Sequence, residues 1–189
     1  GGAGDRNAIP LYRFANCEVN YQFSPDTRLR TSALRSLGAH ANVFAIECML
    51  DELGSATGCD PLSVRRANLQ DRRALATLDA AVALAGWTPD REGTGEWGWG
   101  MAFGQYKNRA AYFAVVVEVS ITHEVKVSRV SAAVDCGLAV NPDGVLNQIE
   151  GGIVQAISWT LKEGVTWHAE GISSCDWDSY PILGFDEVP

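Results

Sequence analysis

The chain reads as an α+β domain with a mixed, largely antiparallel sheet and packed helices. Two observations carry this: apolar residues recur at helical spacing in four separated stretches, and three long β-branched or aromatic runs stand together between residues 99 and 134. With 189 residues, 47% of them hydrophobic and 20% charged, the chain is long enough to bury a core and has too little charge for a disordered one.

Residues 1–16 are punctuated by Gly and Pro and read as an extended loop. Alternation of Val19, Tyr21 and Phe23 against Glu18, Asn20 and Gln22 predicts a strand over Cys17–Phe23. A loop carrying Arg28, Arg30 and Arg35 follows and ends in Ser36-Leu37-Gly38. Val43, Ile46, Leu50 and Leu53 place a helix over His40–Leu53, with Gly54 as its C-terminal cap. Asp60-Pro61 opens a second helix to about Leu69, and a third covers Arg72 to about Ala85, stopped by Gly86.

Strands are expected at Trp99–Tyr106, Ala110–Ile121 and Val125–Val134, with turns near Asn108 and at Thr122-His123-Glu124. The apolar run 110–117 suggests a central strand covered on both faces, and two of the three strands should form an antiparallel hairpin. A last long helix starts near Pro142, carries Val145, Ile149, Ile153, Ile157 and Leu161 on one stripe, and stops at Gly164. Gly151 and Gly152 lie inside it, at about 1 kcal/mol each against Ala, so close approach of a backbone or a ligand is the natural compensation. A further strand is expected beyond Val165. The division falls at Trp99, giving residues 1–98 and 99–189.

Several functions are disfavoured. A net charge of −8 speaks against nucleic-acid and anionic-membrane binding. Five Cys with no C-x-x-C pair indicate neither a disulfide framework nor a zinc knuckle, so Cys48 and Cys136 read as small buried hydrophobes. Gly93-Thr94-Gly95 and Gly98-Trp99-Gly100 do not sit between a strand and a helix, as dinucleotide binding requires. No apolar run is long enough to span a membrane. His40, His123 and His168 are scattered, and the residues alone define no catalytic set.

Specific stretches go further. Arg35-Ser36-Leu37-Gly38-Ala39-His40-Ala41-Asn42-Val43-Phe44-Ala45-Ile46-Glu47, Asp60-Pro61-Leu62-Ser63-Val64-Arg65-Arg66-Ala67-Asn68-Leu69, Val134-Asp135-Cys136-Gly137, Val140-Asn141-Pro142-Asp143-Gly144, Gln148-Ile149-Glu150-Gly151-Gly152-Ile153-Val154-Gln155, Asp176-Trp177-Asp178-Ser179-Tyr180-Pro181-Ile182-Leu183 and Phe185-Asp186-Glu187-Val188-Pro189 occur in one order. In them the chain resembles the molybdopterin-binding large subunit of the xanthine dehydrogenase and aldehyde oxidase family, most closely the isoquinoline 1-oxidoreductase large-subunit type.

The resemblance implies part of a molybdenum-cofactor-binding domain of an oxidoreductase. Such molybdenum hydroxylases oxidise an aldehyde or N-heterocycle with water as oxygen source and pass electrons to iron–sulfur clusters on a partner subunit. The cofactor would be molybdopterin, as its cytosine dinucleotide, with the metal held by the pterin and by no protein side chain. Arg35 matches the Arg beside the molybdenum; Ser36 and Gly38 flank it, and Leu37 stands where purine-oxidising members place a stacking aromatic, which argues against a purine substrate. Gln148 matches a pterin-contacting glutamine, with Gly151 and Gly152 packed near the cofactor. Asp135, Asn141 and Asp143 are expected to organise a turn, and Arg65, Arg66 and Asn68 a helix end.

The family's general-base glutamate, in a G-x-G-E type stretch, is not found in these residues, and Glu187 is not its equivalent. Gly104-Gln105-Tyr106 does not replace the family's G-Q-G stretch. The chain is therefore expected to be a truncated C-terminal part, inactive and without bound cofactor when isolated. The alternative is a non-enzymatic cofactor-binding or assembly module of the same fold. A bacterial cytoplasmic or periplasmic location is expected.

Overall fold

The computed structural model describes residues 4–26, 29, 32–89, 93–107 and 110–189. Arg28, Arg30 and the Asn108 turn lie outside the described residues. The chain forms two compact units, one of Gly1–Glu92, Gly100–Val116 and Ser131–Gly137, the other of Gly93–Trp99, Val117–Val130 and Leu138–Pro189. Four α-helices and a three-stranded antiparallel sheet give the expected mixed α+β class.

In the first unit, α1 spans Ala39–Thr57. It runs one turn past the expected stop, because Gly58, with φ of 66°, is the left-handed cap. Gly54 is instead buried within the helix: an added Cβ would stand 2.9 Å from the Cys59 carbonyl oxygen, so a side chain has no room there. The turn is closed by Cys59 N–H donating to the Gly54 carbonyl at 2.8 Å.

Helix α2 covers Pro61–Asn68 and α3 Arg72–Ala85, as the caps predict. Asp60 Oδ2 accepts from Ser63 N–H at 3.0 Å, and its Oδ1 accepts from Trp87 Nε1 at 3.0 Å. Asp71 Oδ1 accepts from Arg73 N–H at 2.8 Å, and its Oδ2 from the Tyr112 hydroxyl at 2.8 Å. Each acidic cap thus serves a helix and a distant aromatic donor.

The sheet has the order β1 (Trp97–Tyr106), β2 (Ala111–Ile121), β3 (Val125–Asp135). As expected, β2 is central. Its coverage alternates: Tyr112, Ala114 and Val116 are fully buried, whereas Ala111, Phe113 and Val115 are half-buried, so only one face is sealed. With Met101 and Phe103 from β1 and Leu50, Leu62, Leu69, Ala74, Leu78 and Val82 from the helical segments, that face makes the core of the first unit. Arg73 holds the end of β3 by donating to both carboxylate oxygens of Asp135 at 2.7 and 2.8 Å while stacking 4.5 Å over Tyr112.

The strand expected at Cys17–Phe23 does not form. The segment has no regular secondary structure and pairs with no strand among the described residues, and Val19, Tyr21 and Phe23 are 42%, 60% and 76% exposed. A period of two supplies an apolar face; without an adjacent edge, backbone N–H and C=O groups bond to water instead.

In the second unit, α4 (Pro142–Leu161) carries the predicted stripe, of which Ile157 is buried. Its C-terminal cap is Lys162, whose N–H donates to the Ser158 carbonyl, and Gly164 is not the cap. The strand expected beyond Val165 is a short antiparallel hairpin, β4 (Trp167–His168) with β5 (Gly171–Ile172). Ser158 Oγ accepts from Leu183 N–H at 3.0 Å and ties the C-terminal segment to α4. All five Cys are free thiols, with Cys48 and Cys136 half-buried rather than buried. No described helix is long and apolar enough to cross a membrane.

Candidate functional site

Arg35 stands in the turn that leads into α1. Leu37 N–H donates to the Leu34 carbonyl at 3.0 Å and Ala39 N–H to the Ser36 carbonyl at 3.1 Å. Ser36 and Leu37 are both left-handed, with φ of 77° and 54°. A left-handed backbone costs a non-glycine residue roughly 1–2 kcal/mol, and two in succession persist only where the surroundings over-determine them, as at ligand sites. Arg35 is exposed, and Ser36, Leu37 and Gly38 are half-buried. Gly38 is the N-cap of α1 and supplies no side-chain acceptor, nor is there an acidic residue in the first turn. The partial positive charge of this helix end therefore adds to the Arg35 guanidinium.

Further along α1 stands Glu47, which like Arg65 lies in a stretch that carries the resemblance, though those stretches do not show that the two pair. Glu47 is 5% exposed and Arg65 is 0% exposed. Glu47 accepts from the Tyr12 hydroxyl at 2.7 Å, from Arg65 Nε at 2.9 Å and from Phe103 N–H at 2.8 Å. Arg65 also donates to Asp51, to the Pro61 carbonyl and to the Met101 carbonyl, at 2.8, 3.1 and 3.1 Å. Burial pushes the Glu47 carboxyl above its usual range, against the pull of Arg65 and the two other donors, and holds the Tyr12 hydroxyl well above its own. Arg65 is thus a buried structural ion, not a cation answering a helix dipole; Arg66, paired with Asp79 at 2.6 Å, is the exposed one. A signal was present: Glu47 falls on the Val43–Leu50–Gly54 stripe and Arg65 on the Leu62–Leu69 stripe, where a charge must be paired. A cavity of about 240 Å³ opens over Tyr12, Val43, Glu47 and Phe103; Arg35 does not line it.

The second stretch belongs to the other unit and is described within it. Asn141 caps α4 by accepting from Gly144 N–H at 3.0 Å, and Asp143 lies in the first turn, where a carboxylate favours the dipole. In the first unit, Asp135 accepts from Gly137 N–H at 2.9 Å. Asp135 and Asn141 thus organise backbone as expected. One turn further along α4, Gln148 and Gly151 are exposed and Gly152 is half-buried. Among the described residues, no atom beyond its own stretch of helix lies within 4 Å of where a Gly151 Cβ would stand. Nothing within this unit therefore calls for glycine there, and the helix surface is open to a group that approaches its backbone. Glu187, by contrast, is held: Lys162 pairs with it and, with Gly184 N–H, keeps its carboxyl below the usual range.

Among the described residues no three His, Cys, Asp or Glu side chains gather as a metal site. Each unit by itself offers organic hydrogen-bonding groups, a guanidinium and backbone N–H groups in the first and an amide side chain in the second. That set fits an organic, hydrogen-bonding cofactor that brings its own metal ligands.

Known proteins agree with this chemistry. Two family models described as molybdopterin cofactor-binding domain match residues 40–189 and 5–69. A nicotinate dehydrogenase of Pseudomonas putida has a subunit that is 36% identical over 98% of the chain and 17% of its own length. The large (beta) chain of isoquinoline 1-oxidoreductase from Brevundimonas diminuta is 31% identical over 82% of the chain and 20% of its own length. A probable aldehyde oxidase 2 of Oryza sativa is 32% identical over 54% of the chain and 7% of its own length. The chain belongs to the molybdopterin cofactor-binding domains of the xanthine dehydrogenase and aldehyde oxidase family. It spans about one fifth of the length of the first two relatives.

Proposed function

We infer that the chain is part of the molybdopterin-binding subunit of a molybdenum hydroxylase that oxidises an N-heteroaromatic compound or an aldehyde. The observation that carries this is the Arg35 turn, where a guanidinium, two left-handed residues and an uncapped helix end occur together in a chain of this family. When bound, the molybdenum cofactor supplies the redox chemistry that inserts a water-derived oxygen. Arg35 lends positive charge to an oxygen as it becomes anionic. Leu37 offers an aliphatic contact that cannot stack, which favours a pyridine-type ring over a purine, and the substrates in the names of the two longest-matching relatives, nicotinate and isoquinoline, accord with this. Gln148 donates to and accepts from the pterin edge, with Gly151 and Gly152 on the same helix leaving room for it, and in the other unit Ser36 and Gly38 are cofactor contacts beside Arg35.

The cofactor is the cytosine dinucleotide form, and an iron–sulfur partner subunit receives the electrons. The 189 residues alone do not turn over, because they hold no glutamate that the resemblance places as general base.

The test is full-length protein purified with its partner, assayed for molybdenum, bound nucleotide and oxidation of nicotinate, isoquinoline and aldehydes. Arg35→Ala should keep the metal and lower turnover about a hundredfold, the usual effect of removing one charge-stabilising donor. Unchanged turnover removes Arg35 from the reaction, and protein free of molybdenum overturns the reading as a whole.

A further inference from the structure

Helix α1 is apolar on nearly every side. Leu50 is buried and Val43 and Ile46 half-buried, yet Phe44, Met49 and Leu53 are exposed. The apolar surface is thus wider than the Val43–Leu50–Gly54 stripe, so apolar spacing by itself fits more than one facing of the helix. A polar contact can make that choice. The Glu47 carboxylate receives one hydrogen bond from each of three segments: the N-terminal loop through Tyr12, α2 through Arg65 and β1 through Phe103. A slip of one residue, about 1.5 Å along the axis and 100° about it, would break all three at once. Buried ion pairs are weak evidence for stability, and setting register is their best-attested role.

The Arg35 turn joins α1 without a spacer. Ala39 N–H donates to the Ser36 carbonyl and Asn42 N–H to the Gly38 carbonyl, so the turn continues the helix's own bonding. Wherever the register of α1 is set, Arg35 and Leu37 follow. We propose that Glu47 is a positioning residue that sets the placement of Arg35 and Leu37 for the reaction, an inference that rests on the function proposed above. Ser36 and Leu37 then hold left-handed backbone because α1 cannot rotate to relieve them.

Two measurements test this. In the 189-residue chain, the Cα and Cβ chemical shifts of Ser36 and Leu37 report left-handed backbone. Glu47→Leu keeps the approximate bulk and offers no oxygen to Tyr12, Arg65 or Phe103. The expected result is loss of the left-handed shifts at Ser36 and Leu37 with the shifts of α3 unchanged. In full-length protein with its partner, turnover per molybdenum should fall about a hundredfold, the scale of an ångström's misplacement. A purely structural role would lower the melting temperature and leave shifts and turnover per molybdenum as in wild type, and that outcome overturns the proposal.

If α3 also loses its shifts, Glu47→Leu has unfolded the chain, and Tyr12→Phe, which removes one of the three donors, takes its place. A partial shift change and a roughly five- to tenfold loss of turnover are then expected; no change in either overturns the proposal. Wild-type full-length protein that oxidises nothing would sink the proposed function, while the shift experiment still decides whether Glu47 holds the turn.

Discussion

Gly151→Ala should change sign between the isolated chain and the cofactor-loaded protein. Gly151 lies within α4, and among the described residues nothing beyond its own stretch of helix stands within 4 Å of the position an added Cβ would take. The methyl therefore meets no steric resistance in the chain itself. Ala exceeds Gly in a helix interior by about 0.8–1.0 kcal/mol, so the 189-residue chain gains about 1 kcal/mol. For a domain of this size that is a rise of roughly 2–4 °C in melting temperature, readable by far-UV circular dichroism. If the open surface is where the cofactor approaches, the same methyl overpacks that contact by roughly 1–3 kcal/mol. Loading would then weaken by about tenfold or more, measured as molybdenum per protein at limiting cofactor. A chain that melts lower with Ala refutes the steric reading of α4. Full-length protein with undiminished loading refutes the placement of Gly151 beside the cofactor.

The same exchange at Gly54 should go the other way in the chain, because an added Cβ would stand 2.9 Å from the Cys59 carbonyl oxygen and 3.5 Å from Val64. Gly54→Ala is expected to lose roughly 1–3 kcal/mol in urea unfolding with unchanged slope, and equal or higher stability would show that the α1–α2 turn yields freely. Acid should act through Asp135, whose carboxyl the Arg73 guanidinium and Gly137 N–H pull from the usual 3.8 down to about 2. A depressed folded value means stability that is present above the unfolded value and lost as pH falls through the folded one, here between about 4 and about 2. Asp135→Asn should flatten the loss of stability over that range, and an unaltered acid profile would deny the pair any role.

Caps were the most legible part of the fold. Asp60-Pro61 and Asn141-Pro142 begin helices where a short acceptor precedes a residue fit for the first turn, and this chemistry is local; Asp71, which caps α3 in the same way, is not among the expected caps. Gly54 misled because a glycine near a helix end has two uses, as a left-handed cap and as room for a passing carbonyl, and only the fold distinguishes them. Cys17–Phe23 misled because a strand is a property of two segments, and the alternation of one says nothing of its partner. Arg35 and Gln148 are candidates from the resemblance alone. Glu47 was legible by physics, as a charge on an apolar stripe, but its three donors come from residues 12, 65 and 103, and no local pattern joins those.

The double use of the two acidic caps bears on how the first unit folds. Asp60 starts α2 with one oxygen and with the other closes a span of 27 residues to Trp87; Asp71 starts α3 and closes a span of 41 residues to Tyr112. Helix nucleation is the costly step in an isolated segment, and loop closure is the costly step in bringing distant segments together. One carboxylate here rewards both at once. The α2 and α3 segments accordingly gain little as separate helices and much when Trp87 and Tyr112 arrive, which makes their formation a single cooperative event rather than a sequence of local ones.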